Sequence, residues 1–276
     1  MDINKILCLG DGFLGNCFKR NGFTVWGRNK FEYPAMVTYF EQALKDDHFN
    51  TVINCIGISN TRFCEDPENW ALINKINGEL PGELSKVCKR YGVNFVHVSS
   101  GCVYDRKDGV VTESSPVASH CRYVVSKLIG EYGCDLTRDL IIRPRLLFDS
   151  VPVKTKRNNL IQKFSMFSEF LNEFNTVTSN QVIVDSVMSL LDTNCHGVYN
   201  CGCTGAYTIE QMATHLGFGC AKSLQDYELC GSQGLVLVNN VMSMLKLIRD
   251  SGYTPPDALV ELERCNNLLK QCEIND

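Results

Sequence analysis

Gly10, Gly12 and Gly15 stand at the spacing GxGxxG, between an apolar run at 4–9 (NKILCL) and a segment of helical character through Phe18 and Lys19. Glycine is wanted at such positions for a tight turn, for close approach of backbone to a pyrophosphate, and for close packing of helix on strand. The helix N-terminus then offers partial positive charge to the phosphates. The same spacing also occurs in ordinary glycine turns. Its framing by strand and helix at the head of the chain turns it toward dinucleotide binding, with Gly10, Gly12, Phe13, Leu14 and Gly15 as the loop.

Further β-rich runs follow at 23–26, 51–56 (TVINCI), 94–98 (NFVHV) and 139–142 (DLII), the last stopped by Pro144. Helical patterns fall between them, at 70–91 with Leu80, Leu84 and Val87 on one face, and at 120–134. Strands alternating with helices predict an α/β protein, a Rossmann-type, mostly parallel sheet whose ligands bind beyond the carboxyl ends of its strands. After Arg145 the pattern breaks up. A polar loop is expected at 151–160, helices at 161–173, 183–191 and 207–216, and a late strand at 197–200. Residues 1–145, completed by about 180–202, are expected to form the dinucleotide-binding domain, and 146–179 with 203–276 a small substrate-binding region.

Composition excludes several classes. Lys+Arg is 27 against Asp+Glu 31, a net charge of −4 without a long basic run, so nucleic acid is not expected as a partner. No stretch approaches the roughly 18 unbroken apolar residues of a membrane span, and the opening apolar run is too short for a signal segment. A soluble cytoplasmic protein is expected. The 15 cysteines are spread along the chain and read as small buried hydrophobes; their spacing predicts no metal site.

The second strand should end in the residue that meets the adenosine ribose. It reads FTVWGRNK, with Arg28 and Lys30 in place of a carboxylate, which favours the 2′-phosphate of NADP(H) over NAD. Arg28 and Lys30 could equally be surface charges in a turn. The sharpest chemical signal is Tyr123-Val-Val-Ser-Lys127, whose spacing puts phenol and ammonium on one helix face. The nearby Lys127 should lower the Tyr123 pKa toward the range useful for proton transfer, and can also bind the nicotinamide ribose. Ser100, just after NFVHV, falls at the carboxyl edge of the sheet, where a hydroxyl can orient a substrate carbonyl.

These motifs, in this order, resemble the extended short-chain dehydrogenase/reductases, in the branch that makes deoxysugar nucleotides. Asn54-Cys55-Ile56-Gly57 is similar to that family's asparagine-alanine-alanine-glycine strand end. Asn77 with Pro81 and Leu84 is similar to its mid-chain helix, and Gly197–Asn200 with Thr208 to its late strand and loop. The family usually has GxxGxxG; here Leu9 stands three places before Gly12. The resemblance implies that Cys55, Gly57 and Asn77 line the cofactor site. It is nearest to the bifunctional 3,5-epimerase/4-reductases of nucleotide-L-rhamnose synthesis. Their serine-glycine-cysteine is matched by Ser100-Gly101-Cys102, their NFITK-like segment by Asn159–Lys163, and their WCE element by Cys64 and Glu65.

The implied activity is NADPH-dependent 3,5-epimerisation and 4-keto reduction of a UDP- or dTDP-linked 4-keto-6-deoxyglucose, by a homodimer. Cys102 would be the epimerisation base and Lys163 the acid, with Cys64, Glu65, Ser100 and Asn159 at the substrate. Cys102 could instead simply fill space. The open alternatives are a plain 4-reductase, a related reductase for a GDP-linked 4-keto-6-deoxymannose or a 2-acetamido-2,6-dideoxyhexulose, and a non-catalytic regulatory subunit of the methionine adenosyltransferase type.

Overall fold

The computed structural model describes residues 2–27, 35–46, 49–104, 109–118, 121–153, 159–219, 222–224 and 240–275. Arg28 and Lys30 lie outside the described residues. The chain forms two compact units. The first comprises Met1–Val103, Ala118–Arg143 and Val187–Tyr199; the second comprises Tyr104–Val117, Pro144–Ser186 and Asn200–Asp276.

The first unit opens with β1 (Ile6–Leu9), α1 (Phe13–Arg20) and β2 (Thr24–Trp26), followed by α2 (Ala35–Asp46) and β3 (Thr51–Asn54). Next come α3 (Thr61–Glu65), α4 (Trp70–Ile73), a π-turn over Asn74–Glu79, α5 (Leu80–Arg90) and β4 (Asn94–Val98). Helix α6 (Arg122–Tyr132), β5 (Leu140–Pro144) and β6 (Gly197–Cys201) follow, with Pro144, Asn200 and Cys201 counted in the second unit. The six-stranded sheet has the order β6-β5-β4-β3-β1-β2. Pairings of β1 with β2 and β3, of β3 with β4, and of β4 with β5 are all parallel. The α/β reading is therefore borne out. The chain goes out from β1 to β2 and returns to β3 on the other side, which opens a crevice at the carboxyl ends of β1 and β3.

All four residues of β1 are fully buried, as are Val52 and Ile53 of β3. Strands covered on both faces read as continuous apolar runs, which is why no alternation marks them. On one face, Leu7, Leu9, Val52, Phe95 and Ile141 meet Phe40 and Leu44 of α2 and Leu80, Leu84 and Val87 of α5. Each such aliphatic side chain contributes about 2 kcal/mol on burial. Helix α6 approaches the π-turn so closely that a Cβ on Gly130 would stand 2.3 Å from the Asn77 carbonyl oxygen.

Some expected boundaries differ. The run at 51–56 pairs only to Asn54, because the Asn54 Oδ1 accepts from the Ile56 N–H at 3.1 Å and turns the chain out of the sheet. Pro144 is the last residue of β5. The helix expected over 70–91 is interrupted by the π-turn. In the second unit, the helix expected at 161–173 runs only over Leu160–Phe164, and Glu169–Leu171 is a strand paired with Lys222–Leu224. The Ser165 hydroxyl donates to the Gln162 carbonyl at 2.8 Å, a local bond that competes with continuing the helix. The helices expected at 183–191 and 207–216 fall in Asn180–Asp192 and Ile209–His215, the latter opened by a capping box of Thr208 and Gln211. No described helix is long and apolar enough to cross a membrane.

Candidate functional site

The three loop glycines have separate physical reasons. Gly10 has φ +103°, in the left-handed region, and a Cβ there would lie 3.1 Å from the Ile56 nitrogen. A Cβ on Gly15 would overlap the Gly10 carbonyl oxygen at 1.7 Å, so α1 can begin against the strand end only with glycine there. A Cβ on Gly12 would meet nothing within 4 Å. Gly12 is the N-cap of α1 and makes no side-chain cap bond. The helix therefore begins beside the open side of Gly12, the arrangement that receives an anion. The Asp11 carboxylate lies against Gly27, where a Cβ would come 2.0 Å from its Oδ2.

From Gly10 the contacts pass to the loop after β3. The Cys8 and Cys55 sulfurs are 3.6 Å apart, and this hydrogen bond, then burial, raises the Cys55 pKa. A Cβ on Gly57 would be 3.4 Å from Asn77 Oδ1 and 3.7 Å from Lys127 Nζ, so the glycine lets the loop lie beside the ammonium. The fully buried Asn77 holds that loop by accepting from the Ile58 N–H at 2.8 Å and donating to its carbonyl at 3.0 Å. It also donates to Ser126 Oγ at 3.1 Å, tying the loop to α6.

Tyr123 and Lys127 lie buried on one face of α6, and Ser100 is buried after β4. Ser100 lies near enough to Tyr123 to favour its ionised form. The Ser100 Oγ accepts from the Cys102 N–H at 3.2 Å. Lys127 donates to the Val98 carbonyl at 2.9 Å. Burial brings Lys127 down to about 8, with Glu131, one turn along α6, opposing. The expected lowering of Tyr123 is not found: burial, then the neighbouring Cys102, pushes its phenol well up, and the nearby Ser100 only partly offsets this.

Cys102 is half-buried close to Tyr123 and to Cys121, whose thiol burial pushes up to about 11. Cys64 is fully buried, its thiol 3.6 Å from the Ile58 carbonyl, and burial raises it to about 11. The Glu65 carboxylate accepts from the first N–H groups of α6. Asn159 and Lys163 belong to the second unit. Asn159 is fully buried and caps Leu160–Phe164: its Oδ1 accepts from the Ile161 N–H at 3.2 Å, and its Nδ2 donates to the Asp149 carbonyl at 3.0 Å. Lys163 is half-buried on that helix.

Two features escaped the sequence reading. Cys121 joins the thiols around Tyr123, which no spacing announces. Glu131 forms a buried ion pair with Arg143, Nε to Oε1 at 2.9 Å, and its place four residues after Lys127 was the available signal. Among the described residues, no group of three His, Cys, Asp or Glu could hold a metal.

The profile of the RmlD substrate binding domain matches residues 16–222. A probable low-salt glycan biosynthesis reductase of Haloferax volcanii is 32% identical over 103 residues, 37% of this chain and 34% of that protein. The Arabidopsis thaliana trifunctional UDP-glucose 4,6-dehydratase/UDP-4-keto-6-deoxy-D-glucose 3,5-epimerase/UDP-4-keto-L-rhamnose-reductase is 22% identical over 206 residues, 68% of this chain and 29% of that protein. The chain thus spans about a third of the length of the curated relatives it matches. Among solved structures, a dTDP-4-dehydrorhamnose reductase of Clostridium acetobutylicum has TM-score 0.81 at 20% identity, covering 96% of this chain and 99% of that one. The Bacillus anthracis dTDP-4-dehydrorhamnose reductase in complex with NADP has TM-score 0.78 at 16% identity, covering 96% and 98%. The UDP-rhamnose synthase of Acanthamoeba polyphaga mimivirus has TM-score 0.81 at 14% identity, covering 96% and 99%. Similarity at these identities establishes the shared fold. With most of its length matched by the family profile, the chain belongs to the RmlD substrate binding domain family.

Proposed function

We propose that this chain reduces the C4 ketone of a nucleotide-linked 4-keto-6-deoxyhexose with NADPH. The observation that carries the reading is the buried pair Tyr123 and Lys127 on one face of α6, with Lys127 donating to Val98 at the end of β4 and the buried Ser100 two residues further on. The site fits the dinucleotide: the open side of Gly12, the N-terminus of α1 and the close approach of the Gly57 loop to Lys127 supply room for its phosphates. The relatives and neighbours are named as reductases and rhamnose synthases, and the Bacillus anthracis structure is described with NADP.

In this reading, Phe13 and Leu14 bind the pyrophosphate through their N–H groups. Cys55, Gly57 and Asn77 line the cofactor, and Arg28 and Lys30 meet the 2′-phosphate. The cofactor, when bound, supplies a hydride to C4. Ser100 orients the C4 oxygen, and Tyr123 gives it a proton. The high Tyr123 pKa keeps that proton in place at neutral pH, and Lys127 stabilises the phenolate left after donation. Asn159 supports the sugar-binding region, and the buried Cys64 backs the pocket wall. The protein acts in the cytoplasm as a homodimer. Gathered Ser100, Tyr123 and Lys127 weigh against a non-catalytic regulatory subunit.

A second reading adds 3,5-epimerisation, favoured by the half-buried Cys102 beside Tyr123. Cys102 would remove the C3 and C5 protons and Lys163 would return them. The test is incubation with NADPH and a panel of UDP-, dTDP- and GDP-linked 4-keto-6-deoxyhexoses, including a 2-acetamido-2,6-dideoxyhexulose. Mass spectrometry reads reduction and NMR reads ring stereochemistry. NADPH-dependent reduction of at least one member is expected; its absence across the panel rejects the reductase reading.

A further inference from the structure

We infer that Glu65 is a positioning residue for Tyr123, acting from α3 on the backbone at the start of α6, in place of contact with the sugar. The first N–H groups of any helix have no acceptor within it, and a negative charge there is favoured by the helix dipole. The N-cap residue of α6, Cys121, makes no side-chain cap bond. Glu65 supplies the acceptors from 57 residues away: its Oε2 lies 3.2 Å from the Arg122 nitrogen and its Oε1 3.2 Å from the Tyr123 nitrogen. Arg122 returns the contact, donating from Nη1 to the Glu65 carbonyl at 2.7 Å.

Glu65 is itself held in place. Asn60 caps α3 by accepting from the Phe63 N–H at 3.2 Å, and the Cys64 thiol reaches the Ile58 carbonyl. Asn77 grips Ile58 from the other side, and through Ser126 also grips α6. The Ser126 hydroxyl donates to the Tyr123 carbonyl at 2.7 Å. The backbone of Tyr123 is therefore fixed at its nitrogen by Glu65 and at its oxygen by Ser126. One turn along α6, Lys127 is fixed by Val98. Both carboxylate oxygens of Glu65 are committed to this task, and the side chain presents its charge to the helix end. Placement of the phenol against the C4 oxygen depends on that fixing, and a shift of an ångström at such a group lowers the rate of the step it serves.

The inference rests on Tyr123 being the proton donor, so its test has two arms. In the first, amide hydrogen exchange is followed in the native protein and in Glu65→Gln. The substitution removes the charge and one of the two acceptors, and exchange at Arg122 and Tyr123 should quicken about tenfold while Val96 and Ile141 in the sheet stay unchanged. In the second, kcat of Glu65→Gln should fall about 10- to 100-fold, with KM for NADPH and for the sugar nucleotide changed by less than about twofold. In a Tyr123→Phe background the same substitution should change the residual rate less than about twofold, because no phenol remains to be placed. Unchanged exchange at both amides overturns the inference. So does a raised KM for the sugar nucleotide at constant kcat, which would put the carboxylate on the substrate. So too does an equal loss in the Tyr123→Phe background, which marks a general structural defect. A native chain that reduces none of the panel rejects the reductase reading alone, and the exchange arm then decides by itself whether Glu65 holds Tyr123.

Discussion

The Lys127 ammonium donates to the carbonyl oxygen of Val98, the last residue of β4, from a place where burial brings its pKa down to about 8. That value lies below the roughly 10.4 of a lysine in an unfolded chain. Between the two, the unfolded state binds more protons, so this group's contribution to stability rises with pH across that window. Below the folded value the full penalty of a buried charge remains. Lys127→Met should therefore raise stability at about pH 7 by about 1–3 kcal/mol, after the lost bond to Val98, while abolishing turnover. The gain should shrink as pH approaches about 10. Urea melts across that range measure it, and a variant less stable than the native protein at neutral pH contradicts the sign.

Tyr123→Phe removes one buried hydroxyl near Ser100. Stability should change by no more than about 1 kcal/mol. Reduction should fall by about 100-fold or more, the usual range for losing a positioned general acid. With Tyr123 held high and Lys127 near 8, the alkaline limb of the kcat profile should follow the lysine and not the phenol. A near-native kcat in a variant with an unchanged melt removes Tyr123 from the proton step.

The shared placement of those two residues was readable in the sequence because it needs only local geometry. A spacing of four on a helix puts Tyr123 and Lys127 on one face wherever the helix goes. The glycine loop was readable for a similar reason: neither the φ of Gly10 nor the contact at Gly15 admits a side chain. The direction of the Tyr123 shift was not readable, since it depends on burial and on sulfur atoms brought in by distant segments. Nor was the link from Glu65 to α6, for a helix normally announces its cap within a residue or two and this one borrows it through the fold. The helix expected over 161–173 failed because periodicity cannot tell a short apolar run in a strand from a helix turn, and Phe164 and Phe170 meet edge to face across the break.

In the proposed reading, cofactor choice rests on Arg28 and Lys30. Arg28→Asp replaces a cation suited to a 2′-phosphate with a carboxylate that repels it and can bind a free ribose hydroxyl. The ratio of kcat/KM for NADPH to that for NADH should fall by about 10-fold or more, equivalent to about 1.4 kcal/mol at the transition state. An unchanged ratio takes Arg28 out of the cofactor site.

Cys102 separates plain reduction from epimerisation with reduction. It follows Ser100 and Gly101 at the end of β4, lies half-buried, and sits close enough to Tyr123 to raise the phenol. In a 4-keto sugar the protons on C3 and C5 are acidified by the carbonyl, so a base near the groups holding the C4 oxygen can remove them. Cys102→Ser keeps nearly the same volume and takes away the sulfur base. In D₂O, with oxidised cofactor filling the site, an epimerising native protein exchanges the C3 and C5 protons of the 4-keto-6-deoxyglucose nucleotide. The variant should lose most of that exchange, by about 100-fold, yet still oxidise NADPH when given substrate already inverted at both carbons. Lys163→Met should keep partial exchange, because the base remains, and form little inverted product. If the native protein reduces the ketone with no exchange, the plain 4-reductase reading stands and Cys102 is a packing residue. If Cys102→Ser exchanges and inverts at the native rate, some other group is the base, and the serine-glycine-cysteine sequence ceases to be an argument for the double reaction.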